Sequence, residues 1–146
     1  MSGILTLFRR TVADKRGSVA IEFALLGPLA IGMMLGVLQI GIALQSYNAI
    51  RNVSADVSRH TAVQYQVNNK LTDTQIQQYT LATAVRAPYL LENNGLTISV
   101  ANAATQRVTG ATEKTLSISY QVPSILTLLG FKSPSITFTR PIFVAN

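Results

Sequence analysis

Residues 16–23 read Arg16-Gly17-Ser18-Val19-Ala20-Ile21-Glu22-Phe23, and beyond Glu22 no formal charge occurs from Phe23 to Ile50. That run of about 28 residues exceeds the roughly 20 that cross a bilayer core as a helix. The sequence therefore predicts one membrane anchor near the N-terminus, and no other uncharged stretch is long enough for a second. A secretory signal has an apolar region of about 7–15 residues ending in an A-x-A-like site. This run is about twice that length, and no such site stands near residues 40–50, which predicts an anchor kept in the mature protein.

Glu22 is the unusual residue. An acidic side chain costs about 2.5–3.5 kcal/mol at the centre of a membrane helix, so a carboxylate at the mouth of the run points to a function. Arg9, Arg10, Lys15 and Arg16 precede the run against Asp14 alone, and this leader charge predicts a cytoplasmic N-terminus with the C-terminal part outside the cytoplasm.

Outside the anchor, about 100 of the 146 residues remain, enough for one small domain. The net charge of +6 suggests nucleic acid at first sight. However, the bases after residue 50 stand singly, without an aromatic-interleaved stripe, which argues against a nucleic-acid partner. The chain has no cysteine, so disulfides and thiolate metal sites are excluded.

Within the run, Gly32 and Gly36 form a small-xxx-small pair that allows close approach of another helix. Pro28 removes a backbone hydrogen bond and predicts a kink or local unwinding. Beyond Gln45, Leu44, Tyr47, Ala49 or Ile50, Val53 or Ser54, Val57 and Thr61 keep helical spacing, which predicts a continuous stem to about residue 66, its outer half amphipathic. Such a stem would be on the order of 70 Å long.

Asn68-Asn69-Lys70 reads as a loop. Thr72-Asp73-Thr74-Gln75 then reads as a capping box with Leu71 and Ile76 as a hydrophobic staple, so a second helix starts at Asp73. Ile76, Tyr79, Ala82 and Val85 form its expected buried stripe, and Pro88 ends it near Ala87. The period then changes from 3.6 to 2. Leu96, Ile98 and Val100 alternate with polar residues, as do Leu116, Ile118, Tyr120 and Val122, which predicts half-buried antiparallel strands. A third strand is expected over 135–144, with Pro141 placing it at an edge. Ile125-Leu126-Thr127-Leu128-Leu129-Gly130-Phe131 reads as a helical turn packed on the sheet, with an exposed apolar tip meeting a partner or the membrane as the alternative. The expected fold is thus α+β: a long N-terminal helix, transmembrane and then amphipathic, a second helix and a small three- to four-stranded antiparallel sheet. The expected divisions are 1–17, a leader; 18–66, the anchor and stem; and 67–146, an extracytoplasmic domain.

No pattern for catalysis or for a cofactor stands out. His60 is the only histidine, and Asp56, Asp73, Glu92 and Glu113 are isolated in sequence. No phosphate loop, nucleophile elbow or EF-hand pattern occurs. An enzyme is therefore not expected, nor any cofactor or metal.

Gly17-Ser18-Val19-Ala20-Ile21-Glu22-Phe23 resembles the site at which prepilin peptidases cut type IV pilin-like precursors. With the continuation Ala24-Leu25-Leu26-Gly27-Pro28-Leu29, it resembles the TadE-like pseudopilins of tight-adherence (Tad/Flp) pilus systems. The resemblance covers residues 9–48 well and the rest in general layout. It implies a pilin-like fold and a cut between Gly17 and Ser18, leaving Glu22 as the fifth residue, followed by Phe23 where a tyrosine is frequent. It also implies pairing of Glu22 with the Ser18 amine of the same or a neighbouring subunit, and local melting of the stem at Pro28 during fibre packing.

The function implied is that of a pseudopilin or minor pilin that primes or joins an adhesion pilus. The implied partners are a prepilin peptidase, other pilins or pseudopilins and an inner-membrane assembly platform. The implied location is the bacterial inner membrane, or the pilus after assembly. The competing expectation is an uncleaved single-pass membrane adaptor of a pilus or secretion machine.

Overall fold

A computed structural model describes residues 15–145 of the chain. Two helices come first, α1 (Lys15–Gln66) and α2 (Asp73–Ala84). A short 3-10 turn at Asn93–Gly95 leads into β1 (Leu96–Asn102) and β2 (Ala111–Gln121). A second 3-10 turn, Ile125–Leu129, precedes β3 (Ser135–Ala145). The strands form one antiparallel sheet in the order β1-β2-β3, so both flanking strands are edges. Pro141 lies on β3 opposite Thr115, where its missing N–H costs the ladder least. The chain divides into two compact units, one ending at Leu38 and one starting at Gln39.

In the first unit, Val19, Phe23, Leu26, Ile31, Met33 and Val37 are all exposed. A helix apolar on every side fits a membrane span. Pro28 does not end α1, which is helical on both sides of it. It removes the hydrogen bond that the Ala24 carbonyl would otherwise receive.

In the second unit, α1 buries Ile50, Val53, Ser54, Val57 and Thr61, spaced by three and four residues as one helix face requires. Leu44 faces outward instead. Six residues before Ile50, it is rotated from it by about 240° on a 3.6-residue helix, so the two cannot share a face. Asn68, with φ 60°, ends the helix in the left-handed conformation that asparagine tolerates.

The capping box of α2 forms: the Thr72 hydroxyl accepts from the Gln75 amide, and the Gln75 side chain accepts from the Thr72 amide at 2.8 Å. The buried face of α2 is Ile76, Thr80 and Ala84, rather than the expected stripe through Tyr79, Ala82 and Val85. Thr80 is admitted because its hydroxyl donates to the Ile76 carbonyl at 2.7 Å. Tyr79 sits at the rim, stacked on His60 with ring centroids 3.9 Å apart.

The sheet register sets Leu96, Tyr120 and Ile136 in one cross-strand row and Ile98, Ile118 and Phe138 in the next. These rows face the helices and join Ile50, Val53, Val57 and Ile76 in a single core. The opposite face carries hydroxyls, with Ser117 and Thr139 at 3.2 Å and Thr137 donating to Ser119 at 3.0 Å. Gly95 packs against the end of β2, where an added Cβ would lie 2.9 Å from the Gln121 carbonyl oxygen.

Among the described residues, one buried side-chain polar atom lacks a hydrogen-bond partner. Thr61 is fully buried, and its hydroxyl has no hydrogen-bond partner. Burying an unpaired hydroxyl costs about 1–3 kcal/mol. Thr61→Val keeps the shape and removes that cost, so it is expected to raise stability by about 1 kcal/mol. Thermal denaturation of the detergent-solubilised full chain checks this, and an unchanged or lower midpoint would mean that the hydroxyl is satisfied.

Candidate processing and assembly site

Lys15, Arg16, Gly17 and Ser18 form the first turn of α1, while Arg9 and Arg10 lie outside the described residues. One turn further on, Glu22 accepts a hydrogen bond from the Ser18 hydroxyl at 3.1 Å. That is the i, i+4 spacing at which helix side chains meet. The carboxylate therefore already reaches back to residue 18. Phe23 beside it is highly exposed.

The scissile position proposed from the sequence is helical here, so an extended conformation requires the first turn to open. The chemistry of that turn favours opening. Its backbone N–H groups lack intrahelical acceptors, and it contains no acidic residue to complement the positive end of the helix dipole. An added Cβ at Gly17 would meet nothing within 4 Å, so packing does not require glycine there. The same holds at Gly32 and Gly36, which leaves their face open to another helix.

Several contacts in the second unit were not foreseen. Gln39 is buried: its amide nitrogen donates to the Pro123 carbonyl, and its side-chain oxygen accepts from the Ile125 amide, both at 3.2 Å. A lone polar residue among Val37, Leu38, Ile40 and Ile42 is the signal that could have found it. Asp73 does more than complement the α2 dipole, since Lys114 donates to it at 2.6 Å. Glu113 is buried beneath Arg107 in a bidentate pair, and Arg107 lies 5.5 Å from the Phe143 ring centroid. The guanidinium hydrogen bonds hold the Glu113 carboxyl below the usual range, partly offset by desolvation.

Tyr89 donates to Asp56 at 2.6 Å and ties α1 to the segment after α2. That hydrogen bond, then burial, push the phenol from 10.0 up to about 12. A raised folded-state pKa means that the pair's stabilisation is complete below the unfolded value near 10 and is lost as pH rises through about 12. Alkaline titration followed by phenolate absorbance and unfolding is expected to show this loss. It should be absent in Tyr89→Phe, and a tyrosine titrating near 10 at this site would contradict the pair.

No three of His, Cys, Asp and Glu come together as a metal site among the described residues. A groove of about 380 Å³ lies between Gln45, Asn48 and Asn52 of α1 and Pro88, Tyr89 and Leu90, and no charged or imidazole side chain lines it. The arrangement offers packing faces and exposed polar pairs.

No curated protein and no solved structure matches the chain. A family model described as TadE-like protein matches residues 17–59, starting at Gly17 and running along α1 to Arg59. Over that segment, less than a third of its length, the chain is TadE-like in sequence.

Proposed function

We propose that this protein is a pseudopilin or minor pilin of a tight-adherence pilus, made as a precursor and cut between Gly17 and Ser18 by a prepilin peptidase. The TadE-like match beginning at Gly17 carries the reading. Cutting removes the basic leader and creates an amine at Ser18, the residue whose hydroxyl donates to the Glu22 carboxylate, and the amine then pairs with that carboxylate. In lipid that pairing offsets the cost of the carboxylate and gives neighbouring subunits a fixed axial register. The helix sits in the inner membrane with the leader in the cytoplasm, and the domain after residue 66 stands outside it. Gly32, Gly36 and Phe23 then face other pilins, and the assembly platform draws the subunit into the pilus.

Deleting the gene tests this role. Cells lacking the protein are expected to lose surface pili and pilus-dependent adhesion, and the full-length chain is expected to restore both. Normal piliation without it would overturn the proposal.

A further inference from the structure

The 3-10 turn at Ile125–Leu129 and the residues after it present a surface that the core does not use. Ile125 is exposed and Phe131 is 62 % exposed, with exposed Lys132 beside it. Gly130 closes the turn in the left-handed conformation, φ 84°, with its N–H bonded to the Leu126 and Thr127 carbonyls. The apolar tip is thus a built turn with a capped start, where the Leu126 amide donates to the Ser124 hydroxyl at 3.2 Å.

What fixes its position is Gln39. Both ends of its side-chain amide are spent on the strand-to-turn junction, Pro123 and Ile125. Val19 to Leu38 is about 20 residues, one bilayer core, and Gln39 is the next residue. The polar anchor of the turn therefore falls at the helix position where a span starting at Val19 leaves the hydrocarbon. An amide at that depth needs a protein partner or water, and the turn supplies the partner.

We infer that the tip formed by Ile125, Phe131 and Lys132 rests on the lipid surface on the extracytoplasmic side of the membrane that holds α1. Phe131 enters the interfacial layer that aromatic side chains favour. Lys132 lays its stem along the apolar boundary and keeps its ammonium among the headgroup phosphates. This rests on the single-pass reading of α1.

The absence of cysteine makes the test direct. Single cysteines at Phe131, Met33 and Val67 in the full chain are spin-labelled and reconstituted in vesicles containing anionic lipid. Collisions with oxygen and with a water-soluble nickel complex are then compared. Val67 is about as exposed as Phe131 and serves as the aqueous control.

The Met33 label is expected deep in the bilayer and the Val67 label in water. The Phe131 label is expected at interfacial depth, with an oxygen-to-nickel ratio several-fold above that of Val67. Lys132→Glu in the Phe131-labelled chain is expected to lower that ratio. A Phe131 label matching Val67 while Met33 is deep would overturn the inference and leave the anchor intact. A water-exposed Met33 would overturn both. Interfacial depth of the label at position 131 that persists in vesicles of zwitterionic lipid would assign the contact to the apolar tip rather than to anionic headgroups, and would still support it.

Discussion

Cells whose only copy carries Glu22→Gln are expected to process the protein and hold it in the membrane, yet fail to assemble pili. Glutamine keeps the length of the side chain and can still accept from the Ser18 hydroxyl, which lies 3.1 Å from the carboxylate. Only the charge is lost. Removing it makes residence in the membrane easier by up to about 2.5–3.5 kcal/mol. It also leaves the Ser18 amine unpaired in a contact that excludes water. Breaking a buried ion pair from one side costs about 3–5 kcal/mol. At 1.4 kcal/mol per decade, that is roughly 10²- to 4 × 10³-fold in the equilibrium for each subunit contact. Cross-linking between subunits and counts of surface pili provide the readout. Glu22→Asp, which keeps the charge, is expected to recover part of the activity. Wild-type piliation with Glu22→Gln would mean that the carboxylate is not used as a charge.

Gly17→Val is expected to leave the leader on the chain. A peptidase must bind the backbone around the scissile bond in extended form, and glycine lets it come close where a β-carbon would intrude. An added Cβ at this position meets nothing in the structure. Glycine also costs a helix up to about 1 kcal/mol relative to other residues. Loss of processing in this variant is therefore not attributable to loss of fold. The expected product is a full-length protein in the membrane, heavier than the mature form by the residues before Ser18, and no pili. Correct processing of Gly17→Val would remove glycine from the recognition argument.

The elements that were legible in the sequence are those governed by local rules. The end of α1 at Gln66 and the start of α2 at Asp73 follow from Asn68 and from the Thr72–Gln75 capping box. The three strands follow from strict alternation, and the edge position of β3 follows from Pro141. Which face each helix buries was less legible, because it depends on partners far away in sequence. Tyr79 was expected inside and lies at the rim against His60, while Thr80, with its hydroxyl bonded to the helix backbone, goes in. The long-range polar contacts were not legible at all: Gln39 with Pro123, Tyr89 with Asp56 and Lys114 with Asp73 join residues 33 or more apart, and spacing carries no signal for such pairs. At the candidate site, Gly17, Ser18 and Glu22 could be singled out because a carboxylate at the mouth of an apolar run is costly wherever the rest of the chain goes. The Ser18–Glu22 hydrogen bond adds geometry to that reading.

On the proposed function, this chain is a precursor whose anchor begins at Ser18 after cutting. Mass spectrometry of the N-terminus of the membrane-extracted protein, from cells with and without the prepilin peptidase, tests it most directly. A terminus at Ser18 is expected in the first and an intact leader in the second. An intact leader in both would contradict it and leave an uncleaved, single-pass membrane adaptor.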